Sequence, residues 1–148
     1  MAGIELIATQ PDITSGVSIK TLIHLLAAAQ HRIKIKGWGV FCKGIVTTDA
    51  PLLVQLIRQS TTGTMSALTL VKKDTSVAET LQTTATHTAT VEPGTTNIVK
   101  SIDVHPQSGF SEFFPLGSEL IVVGGARMGI AVTAGVSISV SAFFDFEE

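Results

Sequence analysis

The chain has 148 residues and a mass of 15.5 kDa, enough for one domain with a single hydrophobic core. Apolar residues make up 45% of the sequence and charged residues only 15%, which excludes an intrinsically disordered chain. The formal net charge is −2, so we expect no general electrostatic surface for nucleic acid or anionic membrane. Because charges are few and the mean hydropathy is +0.43, we expect a partner to cover part of the surface.

The cysteine content and the first residues bear on where the protein is made. The single cysteine, Cys42, allows no intramolecular disulfide, which favours a reducing compartment. The first residues lack the basic segment and apolar run of a signal peptide, and no stretch approaches the ~20 apolar residues of a membrane helix. We therefore expect a protein made in the cytoplasm without export, with no membrane partner.

Apolar and polar residues alternate along most of the chain, which is the period of a β-strand. Serine fills the polar positions near the C-terminus, and threonine fills those between residues 81 and 91. Gly and Pro residues separate these segments. In chain order, the predicted strands are 17–27, 32–43, 52–59, 68–72, 81–91, 97–105, 110–114, 120–123, 128–132 and 136–146.

Two of these segments carry a further expectation. In 32–43 the large apolar residues change parity at Gly37, which predicts a β-bulge or a bend between sheets at that position. In 21–31 the apolar residues also fit the spacing of a helix, so a helix remains the alternative there.

Eight to ten short strands separated by turn residues predict an all-β, antiparallel sandwich or barrel. No internal repeat, linker or low-complexity segment divides the chain. We therefore expect one β-sandwich domain over residues 17–148. Residues 1–16, broken by Pro11, are expected to form an N-terminal arm that reaches a neighbouring molecule.

The sequence offers little to support catalysis or metal binding. No pair among the four histidines has zinc-ligand spacing. The residues most like the site of a metal-dependent enzyme are Asp103 and His105, which share one strand face, with Glu112 expected opposite them. We favour a polar strand end there, and we expect no catalytic residue, no bound metal, no cofactor and no enzyme activity.

Two pairs of adjacent phenylalanines predict an interface. Neighbouring residues of a strand point to opposite faces, so a core accepts only one ring of each pair. A loop or another subunit must cover the other ring, and Arg127 follows a glycine-rich turn from which it could reach across an interface. The interface candidates are Phe113, Phe114, Arg127, Phe143 and Phe144.

Several motifs point to one group of proteins. They are RIKIKGWGV at 32–40, VQLIRQSTTGT at 54–64, VHPQSG at 104–109, FPLG at 114–117 and GARMGI at 125–130. With these motifs, the chain over roughly residues 17–148 resembles small structural proteins of tailed bacteriophages and prophages.

The resemblance implies a single β-sandwich or jelly-roll domain, often a homotrimer, that decorates a capsid. The expected partner is then the repeated shell of the major capsid protein, the expected location is the virion, and no enzyme activity is implied. One alternative is a receptor- or glycan-binding module, such as a fibre head or a lectin-like jelly roll. A single Trp and no Tyr argue against sugar stacking. The third alternative is the metal-dependent enzyme described above.

Overall fold

The structure is a computed structural model that describes residues 3–43 and 50–148, and all regular elements within them are β-strands. The strands form two antiparallel sheets of six strands that pack face to face, which confirms the all-β sandwich. Twelve strands are present in these ranges, more than the eight to ten expected. They are β1 (Glu5–Thr14), β2 (Lys20–Leu26), β3 (Ile33–Lys43), β4 (Leu52–Gln59), β5 (Thr64–Leu68), β6 (Val71–Lys72), β7 (Thr84–Val91), β8 (Thr95–Val104), β9 (Gly109–Phe113), β10 (Leu120–Val122), β11 (Arg127–Thr133) and β12 (Ser139–Glu147).

The strand order is that of a jelly roll. Sheet A has the order β10-β3-β12-β1-β6, with β9 also paired to β3, and sheet B has the order β5-β7-β2-β11-β4-β8. Strands from the two halves of the chain pair in nested fashion: β1 with β12, β2 with β11, β3 with β9 and β10, and β4 with β8. A ribbon of nested antiparallel pairs folded over into two sheets is a jelly roll. Strands β5 to β7 are an insertion into this plan.

The alternating residues of the strands build the core between the sheets. In β12 the alternate residues from Val140 to Phe146 are buried, whereas the intervening residues are partly exposed. Trp38 of β3 and Phe144 of β12 are fully buried and lie opposite each other across the ladder. Burying an aromatic or aliphatic side chain of this size contributes about 1.5–3 kcal/mol. The core therefore lies between the sheets, with the β3–β12 pair of sheet A packed against the buried residues of β2, β4 and β11 in sheet B.

The bulge predicted at Gly37 is confirmed. Asp145 pairs with Gly37 and the next residue, Phe146, pairs with Ile35, so Lys36 is the extra residue of β3. The change of parity turns the apolar residues on both sides of the bulge toward the core, where they are fully buried.

The segment with the ambiguous spacing is a strand, and the helical alternative is wrong. Strand β2 lies between β7 and β11 in sheet B. Its residues from Thr21 to Leu25 are all buried, because the strand is covered on both faces. A strand covered on both faces is apolar at adjacent positions, which imitates the spacing of a buried helix.

The N-terminal residues lie in the sandwich rather than in a separate arm. Strand β1 pairs along most of its length with β12 and briefly with β6. The register shifts between Gln10 and Ile13, and Asp12 has a positive φ of 53°. Pro11 falls within this irregularity, where a missing N–H does not interrupt the ladder. The proline that suggests a chain break therefore marks a bulge inside a strand.

The bulge residue Lys36 joins an ion-pair network on the outer face of sheet A. Its ammonium group binds the carboxylates of Glu5 and Glu147, the latter at 2.8 Å, and Lys73 bridges Glu5 and Asp145. The hydrogen bonds from Lys36 lower the pKa of Glu147 and, together with Lys73, that of Glu5. The same bonds raise the pKa of Lys36.

Replacing Lys36 with Met should lower the free energy of unfolding by about 1 kcal/mol at pH 7, since the pairs are partly solvent-screened. A carboxylate with a depressed folded pKa stabilises the fold above its unfolded pKa of about 4.3. That stabilisation is lost as the pH falls through the folded pKa, so the difference should shrink at pH 3. Urea unfolding at both pH values measures it. Lys34→Met is the matched control, because its ammonium lies 3.9 Å from Glu147. An equal loss for K36M at pH 3 and pH 7 would exclude the carboxylates as its cause.

Candidate functional site

Three phenylalanines form a contiguous row on the outer face of sheet A. Phe41 of β3, Phe143 of β12 and Phe113 of β9 come from three adjacent strands. The ring centroids of Phe41 and Phe143 are 6.2 Å apart with planes 12° from parallel, and those of Phe113 and Phe143 are 6.1 Å apart at 33°. We call these three side chains the aromatic row.

The rings of the aromatic row lie on glycines of the neighbouring strands. A Cβ atom added at any of these glycines would meet a ring, in one case Cε1 of Phe143 at 2.5 Å. The absence of a side chain thus lets each ring rest directly on the backbone, as aromatic residues do beside glycine in sheets. The pairs are Gly37 under Phe113, Gly39 under Phe143 and Gly109 under Phe41.

The aromatic row is open to solvent. Phe113 is 60% exposed and Phe41 is 46% exposed, whereas Phe143 between them is half-buried. The two outer rings thus keep about half of their surface open to solvent. An apolar group of this size on a sheet surface marks an interaction site more often than a scattered single residue does.

The four predicted phenylalanines divide between the surface and the core. Phe113 and Phe143 belong to the aromatic row, but Phe144 is fully buried and Phe114 is partly buried against the core. The structure therefore removes Phe144 from the surface and places Phe114 partly in the core. The alternation that directs one ring of each pair inward explains this division.

Arg127 lies in sheet B, away from the aromatic row. It begins β11 and donates a hydrogen bond from Nη1 to the carbonyl oxygen of Ser60 at 3.2 Å. Its guanidinium also lies close enough to His24 to lower the pKa of that imidazole, although burial of the ring is the larger cause. The structure thus gives Arg127 contacts within its own sheet.

Phe41 is the member of the site that the sequence analysis missed. It follows the apolar run of β3 and has the parity opposite to that of Trp38 and Val40. The signal is present in the sequence, because the same change of parity at Gly37 that turns Trp38 inward turns Phe41 outward.

Among the described residues, the polar groups around the aromatic row are uncharged or paired with an opposite charge. Ser141 pairs with Phe41 across the ladder and Ser111 pairs with Gly39, so both hydroxyls share the face of the row. Beyond them Lys43 contacts Asp12 at 3.0 Å. The ion-pair network of Lys36 lies on the same face of sheet A, where its cations and carboxylates are paired with one another. A partner can therefore cover the row without leaving an isolated charge.

The residues of the metal-site alternative do not come together. Asp103 lies on β8 in sheet B and Glu112 on β9 in sheet A. The Glu112 carboxylate accepts a hydrogen bond from Trp38 Nε1 at 3.2 Å and forms an ion pair with Lys100. His105 accepts a hydrogen bond from the backbone N–H of Gln107 at 3.1 Å. Within residues 3–43 and 50–148, no cluster of three or more His, Cys, Asp or Glu residues suits a metal ion.

Cys42 is a partly buried free thiol at the end of β3. Burial raises the pKa of the thiol, which keeps it protonated at neutral pH. This environment is that of a small apolar residue rather than of a nucleophile.

Comparison with known proteins gives no family: no protein-family model matches the chain, and no match to a curated protein is found. In the part of the chain that the structure describes, no helix has the length and apolar character needed to cross a membrane.

Proposed function

We propose that the protein is a structural component of a phage particle, a capsid decoration protein that self-associates and binds the shell of the major capsid protein. The observation that carries the proposal is the aromatic row, which is exposed on a rigid sheet and surrounded by neutral groups. Aromatic anchors of this kind supply much of the binding energy of protein interfaces. The sequence resemblance to phage structural proteins supplies the identity of the partner.

The glycines and neighbouring rings that support the aromatic row favour binding of a partner. Each ring of the aromatic row rests on a glycine and on a neighbouring ring, so its position is fixed before a partner arrives. Ordering a mobile side chain at an interface costs about 0.5–1.5 kcal/mol, and a preorganised ring avoids most of that cost.

The sheet edges favour association through a face rather than through strand pairing. Sheet A ends in β6, which has two residues, and at its other edge in β9 and β10, which have five and three. Sheet B ends in β5, which has five residues and a register shift, and in β8, whose pairing with β4 is interrupted by two register shifts. Short and bulged edges resist pairing with another chain. A flat face with exposed rings is therefore the better surface for a partner.

The proposal is tested by mixing the purified protein with capsid shells that lack it and sedimenting the mixture. Co-sedimentation that saturates at a fixed ratio to the shell subunits supports a decoration protein. Light scattering of the free protein gives its mass in solution, and a trimer is the expected state for binding at a threefold or quasi-threefold position. A protein that stays in the supernatant at all concentrations would exclude shell binding.

A second candidate function is glycan binding, which the exposure of adjacent rings favours. The apolar face of a sugar can pack on an exposed aromatic ring. Against it, the single tryptophan, Trp38, is fully buried, so phenylalanine alone would form the platform. A glycan array distinguishes the two functions: specific hits without shell binding would favour the receptor-binding or lectin-like alternative.

A further inference from the structure

A segment of the β5–β7 insertion leaves β2 and crosses strand β11 of sheet B. Strand β7 pairs with β2 from Thr84 to His87, and beyond His87 it pairs only with β5, where Val91 lies opposite Thr64 after a register shift. Thr88 has a positive φ of 56°, which is uncommon for a β-branched residue. From there the chain reaches Gly94, which binds the end of β4. Because β11 lies between β2 and β4, residues 88–94 span it. We call residues 88–94 the strap.

The strap is held by polar contacts and by its pairing with β5, where Val91 lies opposite Thr64 and the Thr90 hydroxyl donates to the carbonyl oxygen of Thr64 at 3.2 Å. The carboxylate of Glu92 accepts hydrogen bonds from the N–H of Thr21 at 2.9 and 3.1 Å and from its hydroxyl at 2.6 Å. The carbonyl oxygen of Gly94 accepts a bond from the N–H of Ser60 at 2.7 Å. Ala89 is buried, and its carbonyl oxygen accepts a bond from Lys20 Nζ at 3.3 Å. Glu92 therefore occupies the edge of β2 at the point where β7 has left it.

Buried polar side chains of sheet B adjoin the site where the strap binds. His24 is 1% exposed and Gln59 is 5% exposed. Gln59 donates to the Thr21 hydroxyl at 3.0 Å and lies over Gly129, the residue that pairs with His24. The Nε2 atom of His24 and the Oε1 atom of Gln59 have no hydrogen-bond partner among the described residues. Buried groups without partners favour a state in which water reaches them.

Strain in the chain adds to this effect. A β-branched residue held at a positive φ is less stable than in the β region, and the strain is relieved when the segment detaches. The contacts that close the strap are thus opposed by backbone strain at Thr88 and by the unpaired polar atoms of His24 and Gln59.

We propose that residues 88–94 form a strap that opens as a unit, independently of the sandwich, and so controls access to the edge of β2 at Thr21. The inference does not depend on the proposed function, since it concerns sheet B and not the aromatic row. Opening leaves the segment Lys20–Leu22 without a neighbour on that side, and an unpaired strand edge accepts a strand from another chain. The closed strap therefore protects this edge.

Native-state hydrogen exchange of single amides tests the proposal. The N–H of Thr21 should exchange through the local opening, with little dependence on denaturant, whereas the N–H of Ile130 in the core should exchange only on global unfolding. Identical rates and denaturant dependence for the two amides in the native protein would overturn the proposal.

Two variants sharpen the test. Glu92→Gln replaces one acceptor of the Thr21 N–H with a donor, and it should speed exchange of Thr21 about tenfold or more while leaving Ile130 unchanged. Thr88→Asn, which tolerates the positive φ, should slow exchange of Thr21 about fivefold. The controls are Glu79→Gln and Thr84→Asn, which lie outside the strap and should leave both amides unchanged. If E92Q instead speeds both amides equally, or T88N leaves Thr21 unchanged, the strap does not open as a separate unit.

Discussion

Replacing Phe113 and Phe143 together with serine is expected to weaken binding to capsid shells about 100-fold or more. Each ring is an aromatic anchor at the centre of the proposed interface, and truncating such an anchor costs about 2 kcal/mol or more. Serine already occupies neighbouring positions on this face, at Ser111 and Ser141, so the sheet should retain its fold. A co-sedimentation titration against shells measures the loss.

The matched control removes an equally apolar side chain from another part of the surface. Ile98 is 56% exposed on β8, at the edge of sheet B, and the aromatic row is on sheet A. The variant Ile98→Ser should bind shells like the native protein. Circular dichroism and urea unfolding establish that both variants are folded. Native affinity in the folded F113S/F143S variant would show that the aromatic row is not the docking surface.

Replacing Gly39 with valine is expected to lower the free energy of unfolding by about 2 kcal/mol, in the range that overpacking of well-packed sites costs. Its Cβ atom would lie 2.5 Å from Cε1 of Phe143 and 3.0 Å from the carbonyl oxygen of Phe110, so both a ring and the backbone must move. In an ordinary strand the same substitution raises the free energy of unfolding, since valine is favoured over glycine by up to about 1 kcal/mol. Urea unfolding measures the change, and shell binding should fall with the displaced ring.

Gly37→Val is the matched control for this effect. The atoms nearest to a Cβ atom at Gly37 all belong to the ring of Phe113, which lies at the exposed end of the row, so this ring can be displaced toward solvent without a shift of the backbone. We therefore expect a smaller loss of stability for G37V than for G39V. Equal stability of G39V and the native protein would mean that the glycines do not support the rings.

Much of the architecture follows from local pattern. The alternation of apolar and hydroxyl residues in the segments that become β7 and β12 places these strands, and the change of parity at Gly37 places the bulge. These features depend on a few adjacent residues, so one sequence suffices to predict them. Strand β1 escaped prediction because Pro11 normally ends a strand, and only the bulge in its pairing with β12 accommodates the proline.

The site is less predictable than the fold. That one ring of each phenylalanine pair faces outward follows from strand alternation, but the sequence analysis kept all four rings as candidates, and only the structure places Phe113 and Phe143 on the outer face. That three rings from three strands meet depends on register, which places Gly39 beside Phe143 and Gly109 beside Phe41. The strap depends on a positive φ at Thr88, which its residue type argues against. Long-range register and local strain are properties of the folded chain.

The nested pairing of the strands also has a kinetic consequence. Glu5 near the start of β1 pairs with Glu147 at the end of β12, and β12 lies between β1 and β3 at the centre of sheet A. Pairings of such high sequence separation make folding slow, because loop entropy is lost before the contact forms. During translation sheet A cannot close until β12 has left the ribosome, and Phe143 arrives with it. The aromatic row is therefore completed only after β12, the last of the described strands, has been synthesised.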